Sequence, residues 1–119
     1  MQNAASQSTG TLSARDGTQL FFRQFQPASP PRASLVIAHG LCEHSGRYTA
    51  LAERLAEKGL FVFAHDHRGH GQSGGKRGCI RQFSDYTQDL HLFVEKCRNA
   101  LAPNTPLLLL GHSMGGLIV

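Results

Sequence analysis

Leu107-Leu108-Leu109-Leu110-Gly111-His112-Ser113-Met114-Gly115-Gly116-Leu117-Ile118-Val119 decides the fold of this 119-residue chain. The leucine run is too short for a helix and reads as a buried parallel strand. After the turn, Leu117-Ile118-Val119 reads as a helix just beginning. The turn itself, Gly111-His112-Ser113-Met114-Gly115, fits Gly-x-Ser-x-Gly. That pattern alone recurs by chance in roughly one chain of this length in twenty-five, given ordinary glycine and serine usage. Its place between strand and helix is what gives it meaning. A nucleophile elbow needs a turn so tight that only small residues fit beside the serine, and Gly111, Gly115 and Gly116 supply that clearance. Ser113 is therefore the candidate nucleophile. It sits at a helix N-terminus, where the backbone N–H of Met114 faces a developing oxyanion. The plainer alternative is a glycine-rich turn whose serine only caps the helix.

Upstream of the turn, strands alternate with helices. Residues 1–10 are polar and uncharged and read as a disordered lead-in. Thr11–Ala14 and Gln19–Phe25 flank Asp16-Gly17, a strong hairpin signal. The prolines from Pro27 to Pro31 mark a loop. Ala33–Ala38 and Leu60–Ala64 are short apolar runs that read as buried strands. Between them Tyr48, Leu51, Ala52, Leu55 and Ala56 recur at helical spacing, closed by Gly59. Ser84 reads as the N-cap of a second helix, whose apolar stripe runs from Tyr86 to Leu101 and stops at Pro103. The order predicts a mostly parallel sheet with helices on both faces.

A second segment bears on the chemistry. His39-Gly40-Leu41-Cys42-Glu43-His44 follows the first parallel strand, where a fold of this kind draws its second oxyanion donor. Gly40 allows close backbone approach, and the N–H of Leu41 is the candidate donor. The seven histidines all precede Ser113. Triad order in this fold is serine, acid, histidine, so none of the seven is the base. His65-Asp66-His67-Arg68-Gly69-His70 lacks metal-ligand spacing and reads as a polar network at the rim of the site, with no metal and no cofactor. His91 falls on the polar face of its helix.

Composition narrows the function classes. Net charge is +4, with basic residues scattered along the chain, which argues against nucleic acid. Three cysteines without Cys-x-x-Cys spacing suit a reducing compartment. No apolar run approaches a membrane span and no signal sequence is visible, so the expected location is cytoplasmic.

Three blocks together resemble one family. His39-Gly40-Leu41-Cys42-Glu43-His44-Ser45-Gly46-Arg47-Tyr48, Asp66-His67-Arg68-Gly69-His70-Gly71-Gln72-Ser73 and Gly111-His112-Ser113-Met114-Gly115-Gly116 are similar to segments of the monoacylglycerol lipase and lysophospholipase group of α/β-hydrolases. The resemblance covers roughly Leu12 to Val119. It implies a serine esterase that cleaves monoacylglycerols or lysophospholipids through an acyl-enzyme, with Ser113 as nucleophile and Leu41 and Met114 lending oxyanion N–H groups. Cys42 departs from the glycine usual in that family. The resemblance also implies eight strands in the order 1-2-4-3-5-6-7-8, with the triad acid, the histidine and a substrate cap following residue 119. Residues 11–119 are then the N-terminal portion of the domain, about five strands. Leu107–Leu110 would be an edge strand here, and the segment alone would be inactive. A small ester or lipid is the expected partner, with transient membrane-surface contact through the cap. Two other readings stand beside it: another α/β-hydrolase activity such as aminopeptidase or perhydrolase, and a non-catalytic fragment or module.

Overall fold

The computed structural model describes residues 5–119. Strands β1 (Ser6–Ser13), β2 (Gln19–Gln26), β3 (Ala33–Ala38), β4 (Leu60–His65) and β5 (Leu107–Gly111) form one sheet in the order β1-β2-β4-β3-β5. A 3-10 turn (Ser45–Tyr48) leads into α1 (Thr49–Glu57). Helix α2 (Ser84–Asn99) precedes β5, and α3 (Met114–Ile118) follows it. The β1–β2 and β2–β4 pairs are antiparallel, while β3 lies parallel to both β4 and β5.

Alternation along the strands divides two cores. Val36, Phe61 and Phe63 face α2 and α3, meeting Tyr86, Leu90, Phe93 and Ile118. Ile37, Val62 and Ala64 face α1, meeting Ala52 and Ala56. The small residues on α1 let that helix lie close to the sheet. Gly59 closes it at φ 101°, a conformation open to glycine at no steric cost. Gly17 does the same for the β1–β2 hairpin at φ 88°.

Four expectations need correction. Strand β1 begins at Ser6, so residues 6–10 are paired strand and not lead-in, while residues 1–4 lie outside the described residues. Backbone pairing from Ser6↔Gln26 to Ser13↔Gln19 holds this polar stretch, which carries no hydrophobic signal of its own. Ser84 is not the cap of α2: the helix starts from Phe83, and the Asp85 N–H already donates to Gln82 O at 3.0 Å. The helix also ends at Asn99, before Pro103. Finally, β5 is not buried among the described residues. It lies at the sheet edge with Leu108 55 % exposed, as the resemblance implied for an edge strand.

Candidate active site

The turn after β5 is pressed onto the C-terminal end of β3. The His112 N–H donates to Ala38 O at 3.1 Å, and Gly115 N–H closes back to His112 O at 2.9 Å. A Cβ on Gly111 would lie 2.6 Å from Gly115 C and from Gly116 Cα. A Cβ on Gly115 would drive into the Ala38 carbonyl and come within 2.7 Å of His39 O. Both positions therefore require glycine. Gly116 does not, since a Cβ there would meet nothing nearer than Gly111 O at 3.6 Å. The clearance expected of three glycines comes from two.

This packing places Ser113 at φ 57° and ψ −119°. A non-glycine residue in the left-handed region carries about 1–3 kcal/mol of strain and persists where its surroundings over-determine it. Ser113 is exposed, and its side chain makes no capping bond to α3. The plainer reading of a helix-capping serine is therefore not what the turn does.

The segment after β3 lies against this turn. A Cβ on Gly40 would sit 3.2 Å from His112 O and 3.3 Å from Ser113 Cβ. Gly40 thus gives clearance to the serine turn itself. The ring of His39 lies behind the segment, fully buried. Its Nε2 accepts the His67 N–H at 2.9 Å, so its proton sits on Nδ1, which donates to Gly40 O at 2.6 Å. His67 returns the contact through Nε2–H to His39 O at 2.8 Å. Burial lowers the pKa of both rings, that of His67 to about 3, so both are neutral near pH 7. In a trans peptide the C=O and N–H point opposite ways. Clamping the Gly40 carbonyl therefore aims the Leu41 N–H away from the histidine pair. Among the described residues, neither the Leu41 nor the Met114 N–H donates to any backbone or side-chain acceptor. Cys42 stands next in the turn at φ 62°, a conformation that suits the glycine usual in the resembled family.

Glu43 takes a role that its place in the His39–His44 segment does not announce. Its side chain is nearly buried, and its Oε2 accepts from Gly40 N–H, from Tyr48 Oη–H at 2.7 Å and from His112 Nδ1 at 3.2 Å. Arg47 approaches Oε1 at 3.3 Å. Burial pushes the Glu43 pKa up, but the hydrogen bonds from Tyr48, Gly40 and His112 outweigh it and hold the carboxyl near 2. It is an anion at neutral pH.

The His65–His70 cluster forms the polar network expected of it, but its histidines lie in the interior and not at a rim. His65 and His67 are fully buried, and His65 packs on Phe93 at 4.9 Å between ring centroids. His67 lies 5.4 Å from the Tyr86 ring. Asp66 is the organiser of the polar loop: its carboxylate accepts from Ser45 N–H at 2.7 Å and Gln72 N–H at 2.9 Å. Among the described residues, no group of three or more His, Cys, Asp or Glu is placed to hold a metal ion. His91 is exposed on α2.

Comparison with known proteins identifies the family. Residues 29–119 match the family profile described as serine aminopeptidase, S33. The chain is 45 % identical over 103 residues to a monoacylglycerol lipase of Mycolicibacterium smegmatis, covering 87 % of this chain and 36 % of that protein. It is 46 % identical over 103 residues to a monoglyceride lipase of Homo sapiens, covering 87 % and 34 %. It thus spans little more than a third of these relatives' length. Among solved structures, a carboxyl esterase from Bacillus coagulans superposes with a TM-score of 0.80 at 27 % identity, covering 95 % of this chain and 38 % of that one. With the strand order and the matched residues together, the chain belongs to the serine aminopeptidase S33 family of α/β-hydrolases.

Proposed function

We propose that the protein carrying this segment is a serine hydrolase of carboxylic esters, with monoacylglycerols as its substrate class. The observation that carries the reading is Ser113, an exposed serine strained into a positive φ between two obligatory glycines. Among the described residues, the Leu41 and Met114 N–H groups flanking the same turn have no acceptor of their own. The monoglyceride lipases among the relatives favour an ester over a peptide bond. Lysophospholipids are the neighbouring substrate class, and aminopeptidase activity is the rival drawn from the family's description.

In the reaction, Ser113 Oγ attacks the ester carbonyl carbon while its proton passes to a base. The carbonyl π electrons move onto oxygen, and the Leu41 and Met114 N–H groups receive that charge. Collapse of the tetrahedral intermediate breaks the C–O bond as the protonated base returns its proton to the leaving oxygen, releasing the alcohol. Water then repeats the sequence on the acyl-serine. In this fold the acid and histidine follow the serine in chain order, and no histidine follows Ser113 in these residues. The proposed base is a histidine of the full-length protein that follows Ser113 in chain order. The full-length protein also supplies any cap and its contact with a membrane surface. The three free cysteines fit the cytoplasmic setting.

A fluorophosphonate probe should label Ser113 of the full-length protein. Ser113→Ala should abolish labelling and lower monoacylglycerol hydrolysis by about 10⁴-fold or more. Labelling elsewhere with turnover retained by the variant, or preferential cleavage of aminoacyl amides, would reject the proposal.

A further inference from the structure

We infer that Glu43 is a positioning residue for the oxyanion hole, joining its two halves through a single carboxylate oxygen. The inference rests on the hydrolase reading above. Leu41 and Met114 lie 73 residues apart in the chain, and each must present its N–H to one oxyanion. Donors in such a site have to sit within a few tenths of an ångström of their target distance. Something must therefore hold the β3 segment and the β5 turn in register.

Glu43 Oε2 contacts both. From the β3 segment it accepts Gly40 N–H, one peptide before the Leu41 N–H. From the β5 turn it accepts His112 Nδ1, one residue before Ser113 and two before Met114. Tyr48 Oη–H supplies a third bond from the start of α1, which fixes the carboxylate against the fold. The oxygen is buried and anionic, so each bond is charge-assisted, roughly twice the strength of a neutral one. Gly40 is clamped from two sides: Glu43 holds its N–H while His39 holds its C=O. A bond across the gap to His112 is the only one of the three that spans the two halves, and the His112 side chain is itself 66 % exposed. That exposure makes His112 a probe that can be changed without opening the core.

Glu43 does not touch the reacting atoms. Its loss should therefore act through the placement of the Leu41 N–H relative to Met114. An oxyanion donor removed outright costs about 10²–10³-fold in kcat, and a displaced one costs part of that.

The test uses the full-length protein and a matched pair of substrates, an ester and its thionoester. Sulfur accepts N–H hydrogen bonds weakly, so the thionoester draws little from the oxyanion hole. Rates are taken per fluorophosphonate-labelled site, which removes any unfolded fraction. Glu43→Ala should lower ester kcat by about 100-fold with KM within about threefold, and lower the ester/thionoester ratio by about tenfold or more. Glu43→Gln, which keeps an acceptor oxygen without charge, should recover part of that ratio. His112→Ala should lower the same ratio alone and add nothing further in the Glu43→Ala background, because both act through one bond. Equal losses on both substrates, or independent effects in the double variant, would overturn the inference while leaving the hydrolase reading intact. If Glu43→Ala does not fold, an unchanged ratio in His112→Ala would overturn it equally. Absence of label on Ser113 in the unaltered protein would instead remove the hydrolase reading and this inference with it.

Discussion

Gly115→Ala changes one methyl group and tests whether close packing of the serine turn on β3 is what the site depends on. The added Cβ would point into the Ala38 carbonyl and approach His39 O to 2.7 Å. Ordinary contact begins near 3.4 Å. The atoms to be avoided are backbone at and just past the end of β3, a strand paired on both sides by β4 and β5 that cannot yield. The turn must therefore retreat by roughly 1 Å, a displacement that costs a reacting group about 10²-fold in rate. It also stretches the 3.1 Å bond from His112 N–H to Ala38 O. Overpacking of this kind costs about 1–3 kcal/mol of stability. The matched control is Gly116→Ala, one residue on, where the nearest atom to a Cβ is 3.6 Å away. There alanine relieves helical glycine by about 1 kcal/mol and leaves the turn in place. Both variants would be made in the full-length protein and compared by thermal unfolding, fluorophosphonate labelling rate and ester turnover. The expected pair is a slow, destabilised Gly115→Ala and a Gly116→Ala within threefold of the parent. Equal losses in the two, or full activity in Gly115→Ala, would refute the packing argument.

Arg68 offers Nε and Nη2 to the buried Asp89 at 2.7 and 2.9 Å and Nη1 to Asp16 at 2.7 Å. Arg68→Ala strands the Asp89 carboxylate and should cost about 3–5 kcal/mol in urea unfolding, whereas Asp16→Asn at the exposed hairpin should cost little. Chelator treatment of the full-length enzyme should leave ester turnover unchanged, since the His65–His70 cluster lacks ligand spacing; zinc-dependent loss and recovery of turnover would contradict this. Acid should destabilise the fold through buried imidazoles. Burial lowers the pKa of His65 well below the ordinary value of 6.5 and that of His67 to about 3. A depressed folded pKa means that the unfolded chain binds the proton first. The stability is thus whole above pH 6.5 and declines below it by about 1.4 kcal/mol per pH unit per histidine. Glu43, with its carboxyl near 2, contributes a loss only below about pH 4.5. Unfolding free energy that stays flat from pH 6.5 to 5 would show the histidines are not held neutral.

How much could be read from residues alone follows from the range of the interactions involved. The serine turn was legible because its constraint is local: Gly111 and Gly115 answer to atoms within five residues and to the strand that the apolar pattern had already placed. The strand alternation was legible for the same reason, since Val36 and Ile37 face opposite cores by the pleat alone. Strand β1 was partly missed because Ser6 to Gly10 join the sheet through backbone bonds, which any side chain permits. Gly10 does carry a signal of a kind, as a Cβ there would strike the Phe22 ring at 2.7 Å, but that reads only once the register is known. The histidines failed differently. A run of His and Asp reads as a polar network at a rim, and nothing local says that β4 carries His65 into the core beneath Phe93. Glu43 is the instructive case. Its bonds to Gly40 and Tyr48 span three and five residues and could be guessed from a turn. Its bond to His112 spans 69 residues and exists only because β5 lies beside β3. What joins the two N–H groups of the site is therefore a consequence of strand order, and strand order is where local reading of a sequence ends.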